Sequence, residues 1–140
     1  MITYVDTSSL LKLLVDEVGS DQVEALWDAS EVLASSALIR VEARAALAAA
    51  HRHRRITASQ QQEALTHLAL LIDQLLIVRV TNELIVAAGE LAEQEALRAY
   101  DAVHLAAALS LETDVISSAD LELCNAASRR GMHVSNPLGS

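Results

Sequence analysis

Arg98-Ala99-Tyr100-Asp101-Ala102-Val103-His104-Leu105-Ala106-Ala107-Ala108 delivers one carboxylate at the start of an otherwise apolar helix. A carboxylate in such a place requires a partner. The chain supplies three more at comparable positions: Asp6 after the strand Ile2-Thr3-Tyr4-Val5, Glu42 early in the helix that follows Ala34-Ser35-Ser36, and Asp120 just after Val115-Ile116-Ser117. Four acids drawn from distant segments read as a site for a divalent cation, because Mg²⁺ is a hard ion that prefers oxygen ligands.

Outward from that helix the pattern alternates. Leu97 to Tyr100 reads as a short connection before it, and Asp114 to Ser117 as a strand after it; Asp120 to Arg130 is a helix, stopped by Gly131 before an edge strand at Met132 to Ser135. Upstream, Ile2 to Val5 is a buried strand, with Asp6, Thr7 or Ser8 capping a short helix from Ser9 to about Val15. Gly19-Ser20 breaks the chain before a helix over Asp21 to Ala29. Glu31 to Ala34 is the second strand, and a helix over Leu38 to His53 and another ending near Gln74, capped by Thr57 or Ser59, form a hairpin expected to project from the sheet. Leu76 to Val80 is the third strand, and Thr81 or Asn82 starts a helix through Glu95. Strands separated by helices predict an α/β fold with a mostly parallel sheet of four or five short strands, covered on both faces. Ligands in such sheets gather where strands end. Residues 1–135 are expected to form one domain, with 136–140 a turn-like tail whose Gly139-Ser140 end is either native or added.

Composition narrows the function. Hydrophobic residues make up 52% of the 140, yet aromatics only 2%, with no Phe, so the core must be built from Ala, Leu, Val and Ile. Cys124 is the sole cysteine, which excludes an internal disulfide and suits a reducing, cytoplasmic setting; on the last helix it reads as core. Trp27 reads as partly buried core, with partner contact as the alternative. The N-terminus lacks the basic region before an apolar run that a secretory signal requires, and the longest apolar stretches fall short of a membrane span. A net charge of −9 argues against general attraction to nucleic acid, although Arg52, Arg54 and Arg55 form a local basic run and Arg40 and Arg44 flank Glu42. These five arginines are candidate contacts for substrate or partner; a solvated helix end is the plainer reading of the run.

In their order and spacing, Asp6-Thr7-Ser8 followed by Ser9-Leu10-Leu11-Lys12-Leu13, Ser35-Ser36 followed by Glu42, Tyr100-Asp101-Ala102-Val103-His104-Leu105-Ala106, and Ser118-Ala119-Asp120 resemble the PIN-domain ribonucleases, and within them the VapC toxins of bacterial toxin-antitoxin pairs. The resemblance spans nearly the whole chain. It implies a PIN-like three-layer α/β/α sandwich and an endoribonuclease dependent on Mg²⁺ or Mn²⁺. It also implies a cognate VapB-type antitoxin that holds the enzyme silent, and assembly as a homodimer within a toxin-antitoxin hetero-oligomer. Many relatives carry Thr two residues before the last Asp where this chain has Ser118, which keeps the hydroxyl.

The chemistry expected of Asp6, Glu42, Asp101 and Asp120 is hydrolysis of an RNA phosphodiester. In a two-metal arrangement with ions about 3.5 to 4 Å apart, one prepares the water and the other stabilises the leaving oxygen; a single ion with a loosely held second fits equally well. Each acid also has a plainer role. Asp6, Asp101 and Asp120 are each able to cap a helix, and Glu42 to pair with Arg40 or Arg44. Thr7, Ser8 and Ser118 are supporting hydroxyls or caps, and His104, three residues after Asp101, is a packing residue or a proton carrier. Tyr100 is expected to be structural, not a surface on which bases stack. Competing functions are a catalytically silent binding module whose acids receive a basic segment, and a structure-specific DNA nuclease, which the shortage of basic regions disfavours. An aspartyl phosphatase is disfavoured because Ser8 stands where a second acid would help Asp6.

Overall fold

The computed structural model describes residues 1–139, and Ser140, the end of the expected tail, lies outside them. In chain order the elements are β1 (Ile2–Val5), α1 (Thr7–Leu14), α2 (Ser20–Ala29), β2 (Val32–Ser36), α3 (Ile39–Arg52), α4 (Ala58–Asp73), β3 (Leu76–Val78), α5 (Asn82–Glu95), α6 (Ala99–Ser110), β4 (Val115–Ser117), α7 (Leu121–Arg129) and β5 (His133–Ser135). The strands make one sheet in the order β3-β2-β1-β4-β5, and every pairing is parallel. From β1 the chain steps outward to β2 and β3, then crosses back to β4 and β5. The reversal of direction therefore falls beside β1, where a parallel sheet opens a crevice at the carboxyl ends of its strands.

Successive strand residues face opposite sides of a sheet, and β1 shows the consequence. Tyr4 packs with Leu84, Leu91, Leu105 and Leu123 in the layer made by α5, α6 and α7. Val5 packs with Leu10, Trp27, Ile39 and Leu68 in the layer made by α1 to α4. The result is the expected three-layer α/β/α sandwich. In the absence of Phe, the core is filled by Leu and Ala: α6 is buried continuously from Ala102 to Ala108, and its small side chains let α5 and α7 approach from either side. A fully buried Leu such as Leu105 contributes about 1.5–3 kcal/mol relative to exposure. Trp27 is 8% exposed, and its Nε1 donates to Gln74 Oε1 at 3.0 Å. Cys124 is buried and donates to the Ser118 carbonyl at 3.2 Å; burial pushes its thiol up to about 11, so it is an inert core residue.

Several boundaries differ from the expectation, each for a local reason. β2 runs on through Ser35 and Ser36, which pair with Ile77 and Val78. Both serines tolerate burial because Ser35 Oγ donates to the Val5 carbonyl at 2.6 Å and Ser36 Oγ accepts from Leu38 N at 3.1 Å. Pairing ends there, so β3 stops at Val78. α6 begins at Ala99, which makes Asp101 a first-turn residue and not a cap. The hairpin of α3 and α4 does not project freely. Its outer half packs on α1 through Leu47, Ile56 and Ala64 against Leu11, Leu14 and Val15, while Thr57 and Gln60 close a capping box at the start of α4. Gly131 follows α7 at φ +88°, as a stop signal should. The tail folds back, too: Pro137 lies against Gly19, whose φ is +94° and where a Cβ would come within 2.7 Å of the Pro137 carbonyl oxygen.

Candidate metal and substrate site

The two turns beside the reversal are stitched together by serines. Asp6 ends β1 and caps α1: its Oδ1 accepts from Ser9 N at 3.1 Å and from Ser8 Oγ at 2.7 Å, and its Oδ2 from Ser118 Oγ at 2.6 Å. Ser118 Oγ in turn accepts from Asp120 N at 3.0 Å, and Ser8 Oγ from Ala119 N at 2.9 Å. Ser8 and Ser118 thus link the β1–α1 turn to the β4–α7 turn. Asp6 is 4% exposed. Burial pushes its pKa up, against the opposing pull of His104 and of the donors Ser118, Ser8 and Ser9 N.

Asp101 and Asp120 stand at the mouth. Asp120 caps α7 by accepting from Leu123 N at 3.1 Å through Oδ1, while its Oδ2 meets Arg98 Nη2 at 3.0 Å. The same Nη2 lies 3.5 Å from Asp101 Oδ2. One guanidinium, 75% exposed, is therefore shared by two carboxylates. The Asp101 carboxyl is raised above its usual range first by burial and next by the Asp120 charge, with Asp6 adding to both and Arg98 opposing them.

Glu42, in the first turn of α3, reaches the same region from β2's side. Its Oε1 accepts from Thr7 Oγ1 at 2.9 Å and meets His104 Nε2 at 2.6 Å, while His104 Nδ1 lies 2.7 Å from the Tyr4 hydroxyl. Burial raises the Tyr4 phenol, so it keeps its proton and donates. In the neutral ring, the tautomer that satisfies all three groups has Nδ1 accepting from Tyr4 and Nε2–H donating to Glu42; a protonated ring keeps the bond to Glu42 and adds its charge to it. His104, 3% exposed, is thereby a positioning residue. It ties a buried tyrosine to a carboxylate at the mouth, where the sequence offered only packing or proton transfer.

Among the described residues, no three His, Cys, Asp or Glu side chains are close enough to hold an ion together. Each carboxylate instead has a neighbouring Ser, Thr, His or Arg as its partner. The candidate donors are nonetheless all carboxylate oxygens, the type a hard cation takes; the charge of Asp120 and of Asp6 raises Asp101, and Arg98 holds a positive charge between Asp101 and Asp120.

The arginines suggested by sequence fall in different places. Arg40 and Arg44 line an open cleft with Val41, Ala45, Ala48, Gln61 and Leu65, on the face of α3 turned away from Glu42, and make no pair with it. Arg52 and Arg54 are exposed at the tip of the hairpin. Arg55 alone shares a cleft with the stitched turns, a space of about 420 Å³ that also touches Ser8 and Ala119. Arg98 and Tyr4 are not among the residues the sequence singles out for the site. Arg98 was detectable as an i,i+3 partner of Asp101 on one helix; nothing local marked Tyr4.

An α/β/α sandwich with acids gathered at the carboxyl ends of parallel strands defines a class of domain, and the comparison with known proteins agrees. The PIN domain family matches residues 3–128, and the chain belongs to it. Ribonuclease VapC45 of Mycobacterium tuberculosis (strain CDC 1551 / Oshkosh) is 41% identical over 110 residues, which are 79% of this chain and 76% of that relative, so the chain is a homologue of VapC-type toxins. Two solved structures share the fold. VapC20 of Mycobacterium tuberculosis, a sarcin-ricin loop cleaving toxin, superposes with a TM-score of 0.70 at 19% identity, over 93% of this chain and 95% of that one. A toxin-antitoxin complex from Klebsiella pneumoniae gives 0.67 at 19% identity, over 99% of each chain.

Proposed function

We propose that this protein is a toxin endoribonuclease that hydrolyses RNA phosphodiesters with a divalent metal, Mg²⁺ or Mn²⁺, and is held inactive by a cognate VapB-type antitoxin. What supports the reading is the linkage of the four acids through shared partners, Asp101 to Asp120 by Arg98, Asp6 to the Asp120 turn by Ser118 and Glu42 to Asp101 across one cleft, in a chain homologous to a ribonuclease. Bound there, the ion would supply Lewis acidity, neutralising charge on the phosphate and favouring attack by water. Asp6, Asp101 and Glu42 would hold it, with Asp120 assisting directly or through water.

The rest of the work falls to this chain's own residues. Ser8, Ser9 N and Ser118 fix both oxygens of Asp6, so its orientation is set before any ligand arrives. Thr7 and His104 do the same for Oε1 of Glu42. Arg98 offsets the repulsion between Asp101 and Asp120, and because it is largely exposed it is free to swing from them to a substrate phosphate once a cation takes over that duty. An acidic mouth of this kind also accepts a basic segment of a partner, and an arginine of an antitoxin would compete there with metal and RNA. The complex from Klebsiella pneumoniae supports such a partner, within which we expect the toxin to be a homodimer. No helix among the described residues is long and apolar enough to cross a membrane.

The test is sequencing of cellular RNA ends after brief expression of the free protein beside its Asp101→Asn variant. New ends that cluster only with the parent establish cleavage and reveal its targets; identical end profiles remove the reading. Co-expression of the neighbouring gene product should bind the protein and suppress those ends.

A further inference from the structure

The chain has one Trp, two Tyr and no Phe, and the fold treats these three aromatic residues differently. Tyr4 is 0% exposed and Trp27 8%, both committed to the core; Tyr100 is 64% exposed. Tyr100, expected from sequence to be structural, is thus not part of the core. It stands in the first turn of α6, directly before Asp101, and lines a cleft of about 340 Å³ with Glu42, Arg98, Ala99 and Asp101. A lone exposed apolar side chain needs no explanation by itself. This one is the sole exposed ring among the Tyr and Trp side chains of the described residues, and its cleft holds two of the candidate ligands.

We infer that Tyr100 is the platform on which a nucleobase of the RNA stacks, seating the neighbouring phosphodiester at the carboxylates. The inference rests on the nuclease reading above and adds the residue that grips the base. A chain with a net charge of −9 gains little from long-range attraction to a polyanion, so affinity must come from contacts that do not depend on charge. Base–aromatic stacking is such a contact, and it tolerates sequence because every base has a π-face. Tyr is suited to it, since only two side-chain torsions are frozen on binding. The short α6 turn fixes the ring one residue from Asp101, so the base on the ring and the phosphate at the acids belong to the same stretch of strand. Arg98, on the other side of Ala99, is placed to take the phosphate's charge.

The experiment compares parent, Tyr100→Ala and Tyr100→Phe on an oligoribonucleotide that spans a mapped cut site, and on a series of the same strand made abasic at one position at a time. Tyr100→Ala should raise KM roughly tenfold with kcat little changed, and Tyr100→Phe should restore the parental KM. One abasic position should raise the parental KM by the same factor and leave Tyr100→Ala unaffected, which a merely structural role would not produce. The dependence of KM on salt should keep its slope in Tyr100→Ala, since no charge is removed. A parent that cuts while Tyr100→Ala cuts with unchanged KM overturns the inference alone, as does a Tyr100→Ala defect that persists at every abasic position. A parent that cuts no RNA overturns the nuclease reading and this inference with it.

Discussion

Glu95 at the end of α5 and the pair Asp101 and Asp120 at the mouth are carboxylates with arginine partners, held in opposite proportion. Glu95 receives two arginines: its Oε1 accepts from Arg129 Nε at 2.7 Å and its Oε2 from Arg130 Nε at 2.9 Å. Those hydrogen bonds hold its carboxyl below the usual range. At the mouth one arginine serves two acids, and the Asp101 carboxyl is held above that range. Surplus positive charge makes the first a clamp between α5 and α7. Surplus negative charge makes the second a place that stabilises the fold poorly and, on the proposed nuclease reading, would receive a cation.

If the comparison holds, substitutions at the mouth should cost activity and spare stability, and those at the clamp should do the reverse. The largest effect is expected from Asp101→Asn, which keeps size and removes charge. Metal-dependent RNA cleavage should fall roughly 100-fold or more, with circular dichroism unchanged and the metal-free melting temperature equal or higher. Cleavage at the parental rate in Mg²⁺ and Mn²⁺ would remove Asp101 from the mechanism.

His104→Ala links the two kinds of role. It should slow cleavage roughly 10- to 100-fold, the scale seen when a residue that orients a ligand is lost. It should also cost about 1–3 kcal/mol in urea unfolding, because the Tyr4 hydroxyl is left buried without its partner. Loss of stability with parental activity would show that Glu42 needs no orientation.

A third effect is smaller and lies in the pH dependence of the metal-free protein. The folded-state pKa of Asp6 is raised, so between about pH 4 and that raised value the folded chain binds more protons than the unfolded one. Stability from this group therefore declines as pH rises through the window and stays reduced above it. Asp6→Asn, which keeps a good cap, lacks that decline. Thermal melts from pH 4 to 8 should show the variant gaining on the parent as pH increases, and parallel curves would break the account of Asp6. The same variant should lose most Mn²⁺ binding in titration calorimetry.

Glu95→Gln should give the smallest change and the opposite slope. A depressed carboxyl adds stability above its unfolded pKa and loses it as pH falls through the folded one. Parent and variant should differ slightly at neutral pH, converge in acid, and converge also in high salt, since exposed arginines are screened.

Much of this organisation is legible along the chain, and the gaps have physical causes. The helix starts at Thr57 and Thr81 follow from cap chemistry, and the parallel sheet from the alternation of strands and helices. The end of β2 is not legible because Ser35-Ser36 reads as a break until the Val5 carbonyl is brought beside Ser35. Arg40 and Arg44 are near Glu42 in sequence, but a period of 3.6 residues turns them to another face. The spacing of Arg98 from Asp101 is a local signal for their pairing. The exposure of Tyr100 had no local mark, because the helix it opens is apolar.

By itself the sequence determined the order of elements, the α/β class and the acids that end or follow strands, because hydrophobic period, caps and turn residues act over a few neighbours. Which groups meet at the mouth was decided only by the tertiary structure. Tyr4 and His104 lie 100 residues apart, and His104 and Glu42 62. Ser118 reaches Asp6 across 112, and Arg98 reaches Asp120 across 22. Such contacts are set by how two layers of helices close over one sheet, and it is that closure which buries Asp6, shares one guanidinium between two acids and leaves the ring of Tyr100 in the open.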